Sequence, residues 1–147
     1  EVCVYVYGSA HVIADVSGFV PADGGFGALV PARIVDTRPG GVKVGSADGA
    51  GEALRVNVLG RGGLPSSGVG AVVLNVTVTE TEGPVMGGGY ATVFPCGVQP
   101  EASNLNFVGG DVVANSVIAP VSSSGEVCVY VYGSAHVIAD VSGYFAG

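Results

Sequence analysis

Apolar residues recur at every second position through several stretches of this chain, the period of a strand with one buried and one wet face. Val72, Leu74, Val76 and Val78 alternate with Asn75, Thr77 and Thr79, and Leu54, Val56 and Val58 alternate with Arg55 and Asn57. Ser103, Leu105 and Phe107 alternate with Asn104 and Asn106, and Val127, Val129 and Val131 with Cys128, Tyr130 and Tyr132. Segments 33–38, 90–95, 112–119 and 136–144 complete about eight strands, punctuated by Gly, Pro and Ser turns, with no helical pattern among them. The expected class is all-β, a β-sandwich of about eight strands, because two packed sheets bury eight half-apolar faces economically. A β-trefoil or a closed β-barrel satisfies the same pattern. Residues 127–132 and 136–144, joined by Gly133, Ser134 and Ala135, predict a hairpin.

A repeat changes how the ends are read. Residues 1–18, EVCVYVYGSAHVIADVSG, return letter for letter as residues 126–143, an offset of 126 − 1 = 125 residues; Phe19 then faces Tyr144, and the likeness fades at Val20, Pro21 and Ala22. The expectation is a window on a longer array: residues 1–22 are the C-terminal hairpin of a preceding copy plus the start of a linker, and residues 23–147 are one complete 125-residue unit, the size of an ordinary domain. An isolated two-stranded ribbon is marginal in water, so the N-terminal copy needs something to pack on. The candidates are the body of a preceding unit and the sheet edge of a neighbour. Segment 20–30, with Pro21, Gly24, Gly25 and Gly27, reads as a linker.

Composition narrows the partners. Charged residues make up 12% of the chain, Gly supplies 26 residues, and the formal net charge is −7 with only five Lys and Arg. That balance disfavours nucleic acid and anionic lipid surfaces, both of which require a basic face. No apolar run approaches the ~18 residues of a spanning helix, so no membrane insertion is expected. A surface so poor in charge suits packing against neighbouring copies. The three cysteines reduce to two per unit, since Cys3 and Cys128 occupy one repeat position. They predict a Cys96–Cys128 disulfide, with Cys3 paired to a preceding unit, and hence an oxidising, extracellular setting; buried free thiols in a reducing compartment are the alternative.

Several motifs together resemble a known repeat. PARIVDTRPG at 31–40, GRGGLP at 60–65, VVLNVTVTE at 72–80, YATVFPCG at 90–97, SNLNF at 103–107, ANSVIAPV at 114–121 and VCVYVYGSAHVIADVSGYF at 127–145 span the whole period. They look like a tandem-repeat β-domain of secreted and cell-surface actinobacterial-type proteins. The resemblance implies location and architecture, often beside cell-wall hydrolases or surface-anchoring modules, and it implies no catalytic residues.

Candidate chemistry is sparse. Ser134, His136 and Asp140 suggest a nucleophile, base and orienter, but on one strand His136 and Asp140 lie roughly 13 Å apart at ~3.3 Å per residue, too far to hydrogen-bond. The bland reading is a hairpin with a surface His and a turn-facing Ser. The two histidines are one repeat position, too few for zinc. Asp23, Asp48 and Asp111 lack EF-hand spacing and read as turn residues. No cofactor is expected. Arg33, Asp36 and Arg38 form the strongest polar cluster, either a ligand clamp or a structural ion pair tying the first strand to a following loop. Tyr130 and Tyr132 sit about 6.6 Å apart on one sheet face, from ~3.3 Å per residue, either a glycan-stacking platform or a packed interface shared with Cys128. The functional expectation is a non-catalytic structural unit of an extracellular bacterial stalk, sheath or filament. Its alternative is a carbohydrate- or cell-wall-binding accessory module of a secreted hydrolase.

Overall fold

A computed structural model describes residues 2–12, 19–84 and 87–147. Eight strands follow one another: β1 (Phe26–Asp36), β2 (Val44–Ser46), β3 (Glu52–Asn57), β4 (Val69–Glu82), β5 (Gly89–Pro95), β6 (Leu105–Phe107), β7 (Val113–Pro120) and β8 (Glu126–Ala146). The chain is all-β. Every pairing is antiparallel, and all eight strands belong to one sheet curled nearly into a barrel, closer to the barrel alternative than to two separate stacked layers.

The sheet is organised around β8, a single strand of 21 residues. The hairpin expected at 127–144 is therefore corrected: Gly133, Ser134 and Ala135 continue the strand, and all three pair with neighbours. β1, β2 and β3 pair in turn along β8 from its C-terminal to its N-terminal end, Phe26 opposite Phe145, Gly45 opposite Ser134, and Asn57 opposite Glu126. β4 and then β5 make the same journey, Val69 opposite Ala146 and Pro95 opposite Val127. Most of β8 thus has a partner on both sides. β7 adds outside β4 and β6 outside β5, and the Asn115 side-chain amide donates to the Asn104 carbonyl across the seam between them.

The two-residue period of β8 runs unbroken through Gly133. Val127, Val129, Val131, Ala135, Val137, Ala139 and Val141 all enter the core, while Cys128, Tyr130, Tyr132, Ser134, His136, Ile138 and Asp140 lie on the other face. Val72, Leu74, Val76 and Val78 of β4, Val56 of β3, and Leu105 and Phe107 of β6 complete the core, as their alternation predicts. The valine-rich interior suits a tightly curled sheet, because β-branched side chains pack well on a pleated surface. Leu64 joins the core from the GRGGLP loop. That loop is tied by Gly60 N–H to the Pro65 carbonyl at 3.0 Å and by the Arg61 guanidinium to the Asn57 and Ile34 carbonyls.

Two further expectations change. The linker expected over 20–30 ends early, because Phe26 already begins β1; Gly27 is required there, since a Cβ would sit 2.2 Å from the Tyr144 ring. Residues 2–12, the described part of the N-terminal copy, carry no strand and are exposed. The same letters that form part of the most extensively paired strand of the sheet at 127–137 are thus unpaired at 2–12.

Candidate functional site

The outer face of β8 gathers the polar and aromatic residues singled out by sequence, in two clusters. In the first, Arg33 on β1 faces Asp140 on β8 in register and grips it with both ends of its guanidinium, Nε to Oδ1 at 2.9 Å and Nη2 to Oδ2 at 3.2 Å. Arg38 binds Asp36 in the same two-pronged way, at 2.9 and 2.7 Å, and adds its own backbone N–H at 3.1 Å. Arg33 reaches Asp36 more weakly, at 3.5 Å. Paired forks of this kind satisfy the lone pairs of both carboxylates. The Arg38 hydrogen bond holds the Asp36 carboxyl at about 2, below its ordinary 3.8. The carboxylates that a ligand clamp would offer are already occupied, and the cluster ties β1 to β8 rather than only to a following loop.

Thr37 extends the tie. Its hydroxyl accepts the Val137 N–H at 3.0 Å and shares a second hydrogen bond, also 3.0 Å long, with Nδ1 of His136. The surface position expected for His136 is corrected: the residue is 5% exposed. Ser134, expected to face a turn, is buried within β8 as well. Neither approaches Asp140, whose carboxylate belongs to Arg33. The carboxylate of Glu80, a residue in the left-handed region at φ 51°, lies 3.8 Å from His136 Nε2. Ser134, His136 and Asp140 are held by three different sets of neighbours, and no nucleophile-base-orienter chain joins them.

The second cluster is aromatic. Tyr130 and Tyr132 are half-buried on the outer face, not packed inward, and Tyr90 of β5 lies against both. Its ring centroid is 5.3 Å from that of Tyr132, nearly parallel, and 6.0 Å from that of Tyr130, tilted. Burial pushes the Tyr90 phenol up, and the neighbouring Tyr130 adds to the shift. Gly49 and Gly51 bring the β2–β3 loop against the phenol oxygens of Tyr132 and Tyr130. On the other side Tyr90 borders a shallow groove with Gln99, Pro100, Glu101 and Asn106. The sequence reading missed Tyr90, although its signal was present: it alternates with the core residues Ala91 and Val93, which places it on the outer face.

The Cys96–Cys128 disulfide lies beside the tyrosines, Cα atoms 4.9 Å apart, and clips the loop after β5 onto the outer face of β8. Thr92, buried on the same face, donates to the Ala102 carbonyl and pins that loop a second time. Cys3 is free and exposed. Asp48 and Asp111 accept backbone N–H groups of Ala50 and Val108 in their own turns. Among the described residues no group of three or more His, Cys, Asp or Glu is arranged to hold a metal ion, and no helix is long and apolar enough to cross a membrane. No family model matches the chain, and no curated protein or solved structure is significantly similar to it.

Proposed function

We propose that the chain is a structural repeat unit of an extracellular bacterial stalk, sheath or filament, working by packing rather than by catalysis. The observation that carries this reading is that the segment recurring after 125 residues is the strand around which the whole sheet is built. What is repeated is scaffold. The Cys96–Cys128 clip suits an oxidising compartment outside the cell. The Arg33–Asp140 pair joins β1 to β8, and the Arg38–Asp36 pair fixes the turn that follows β1.

The ends of the unit constrain how an array is laid out. Phe26 and Phe145 are direct partners, and Ala146 donates to the Gly25 carbonyl at 2.8 Å. Each unit therefore enters and leaves the array at one corner of its sheet. Tension along the chain opens the β1–β8 ladder from its end, one hydrogen bond after another, instead of shearing it as a whole. A stiff fibre built from such units depends on lateral contact between domains, repeated by a non-closing symmetry. Exposed Val30, Val42, Val98 and Val112, on a surface with few charges, supply apolar area for that contact.

Electron microscopy of a recombinant array of three or more units tests the reading. Ordered fibres with an axial repeat matching one domain are expected; separate flexible beads at all concentrations overturn it. One observation favours a second reading: Tyr90, Tyr130 and Tyr132 form a half-exposed aromatic face beside a groove with amide and carboxylate side chains, as a glycan-binding module uses. Saturable binding of soluble cell-wall glycans, lost in Tyr132→Ala, would favour it.

A further inference from the structure

We propose that the place filled by β8 also accepts the N-terminal copy of the same strand, folded back on β1 as a hairpin, so that two identical segments of one chain compete for one slot. Residues 1–18 and 126–143 are the same sequence, so either can present the same side chains to the same neighbours. Register decides whether the nearer copy can reach. β1 pairs with β8 antiparallel, with Phe26 opposite Phe145 and Gly27 opposite Tyr144. Subtracting the 125-residue offset places Val20 opposite Phe26 and Phe19 opposite Gly27. The connection is then residues 21–25, Pro-Ala-Asp-Gly-Gly, a five-residue loop of ordinary hairpin length. A turn already exists there, closed by Gly24 N–H donating to the Pro21 carbonyl at 3.0 Å, with Gly25 at φ 68°.

The slot's specific contacts carry over. Asp15 takes the place of Asp140 opposite Arg33, and His11 that of His136 beside Thr37. Phe19 differs from Tyr144 only by a hydroxyl where that ring lies over Gly27. Cys3 takes the place of Cys128 beside Cys96, and it is the free, exposed thiol of the chain.

The two occupants differ at the end of the match. Val20 lacks the Phe145 ring that packs 5.1 Å from Phe26, and Pro21 lacks the N–H that Ala146 donates to Gly25. Against this, the hairpin closes a loop of five residues, whereas the C-terminal copy reaches β1 only after the rest of the domain has been threaded between them, and short closures lose less chain entropy. The exchange is independent of what the unit does outside the cell. In an array it gives each central strand two places to dock, the sheet it ends or the sheet that follows five residues later.

Disulfide mapping reads the occupant directly. All five Lys and Arg lie between residues 33 and 61, and Glu101 and Glu126 separate Cys96 from Cys128, so denaturing, non-reducing digestion with trypsin and a glutamyl endoprotease leaves Cys3 within 1–33, Cys96 within 83–101 and Cys128 within 127–147. The full chain is unfolded, reduced, and refolded at low concentration in a glutathione buffer that reshuffles disulfides. Fragment 1–33 linked to 83–101 in about 10% or more of monomeric chains is expected, the upper end of the range for a minor conformation; a smaller share, or a link to 127–147 instead, overturns the proposal. The Cys128→Ser chain is the second arm. A monomeric Cys3–Cys96 linkage with retained cooperative unfolding is expected, and a free Cys96, or one linked only to another chain, overturns it.

Discussion

Thr37 follows the last residue of β1, and its one hydroxyl serves both the Val137 N–H and the His136 ring. Thr37→Val keeps the shape and removes both bonds, leaving polar atoms beside a buried ring without partners; a loss of about 1–3 kcal/mol in urea unfolding is expected. Asp36 carries the acid sensitivity of the same corner. Arg38 holds its carboxyl at about 2, against 3.8 unperturbed, so the folded chain binds that proton less readily than the unfolded chain does. Its contribution is complete above about pH 4 and disappears as pH falls through about 2. Melting temperature against pH should show a shallower acid decline in Asp36→Asn than in the parent chain. These residues were legible as a cluster, because Arg33, Asp36 and Arg38 stand two and three positions apart. Asp140 as the partner of Arg33 was not, because that contact spans 107 residues and depends on β1 lying in register with β8.

At the scale of elements, local alternation identified the β3, β4 and β6 segments because each has one core-facing side set by its own residues, while the β5 and β7 segments were marked out by the turns that bound them. β8 was misread as two strands for a physical reason. A glycine at positive φ serves a turn or a bend in a continuing strand equally well, and Gly133, at φ 94°, is held in the strand by partners distant in sequence. The unbroken odd-position apolar period from Val127 to Val141 was the available clue. β2 escaped notice because three residues, Val44–Ser46, show no period. Gly45 there approaches β8 so closely that a Cβ would sit 2.1 Å from the Gly133 carbonyl oxygen, and its φ is 77°. Gly45→Ala is expected to lose more than about 1 kcal/mol, by chemical denaturation, through strain and displacement of backbone. The disulfide closes a separation of 32 residues, so Cys96→Ser should lose roughly 3–4 kcal/mol on the chain-entropy estimate. Cys3→Ser, altering an exposed thiol, should leave the same unfolding midpoint unchanged.

At the scale of the molecule, the sheet consists of one long strand with two chains of shorter strands laid along it, β1 to β3 and β4 to β5, and one outer strand beyond each of β4 and β5. The sequence carried the class; the count of eight agreed only because one strand read as two offset the missed β2, and strand order is a property of pairings between distant segments, invisible to alternation. The architecture gives the repeat its meaning: a unit cannot complete its sheet until a strand of β8's sequence has entered it, and sequence alone does not specify which copy enters. Cross-strand nuclear Overhauser contacts in the uniformly labelled chain test this most directly. We expect the occupant's Val129 position to contact Leu54 and Val93, and its Ile138 position Asp36 and Thr77, from a segment extended along its whole length. Contacts between the two halves of that segment, Tyr130 or Tyr132 against His136 or Ile138 across a turn at Gly133, would contradict the account.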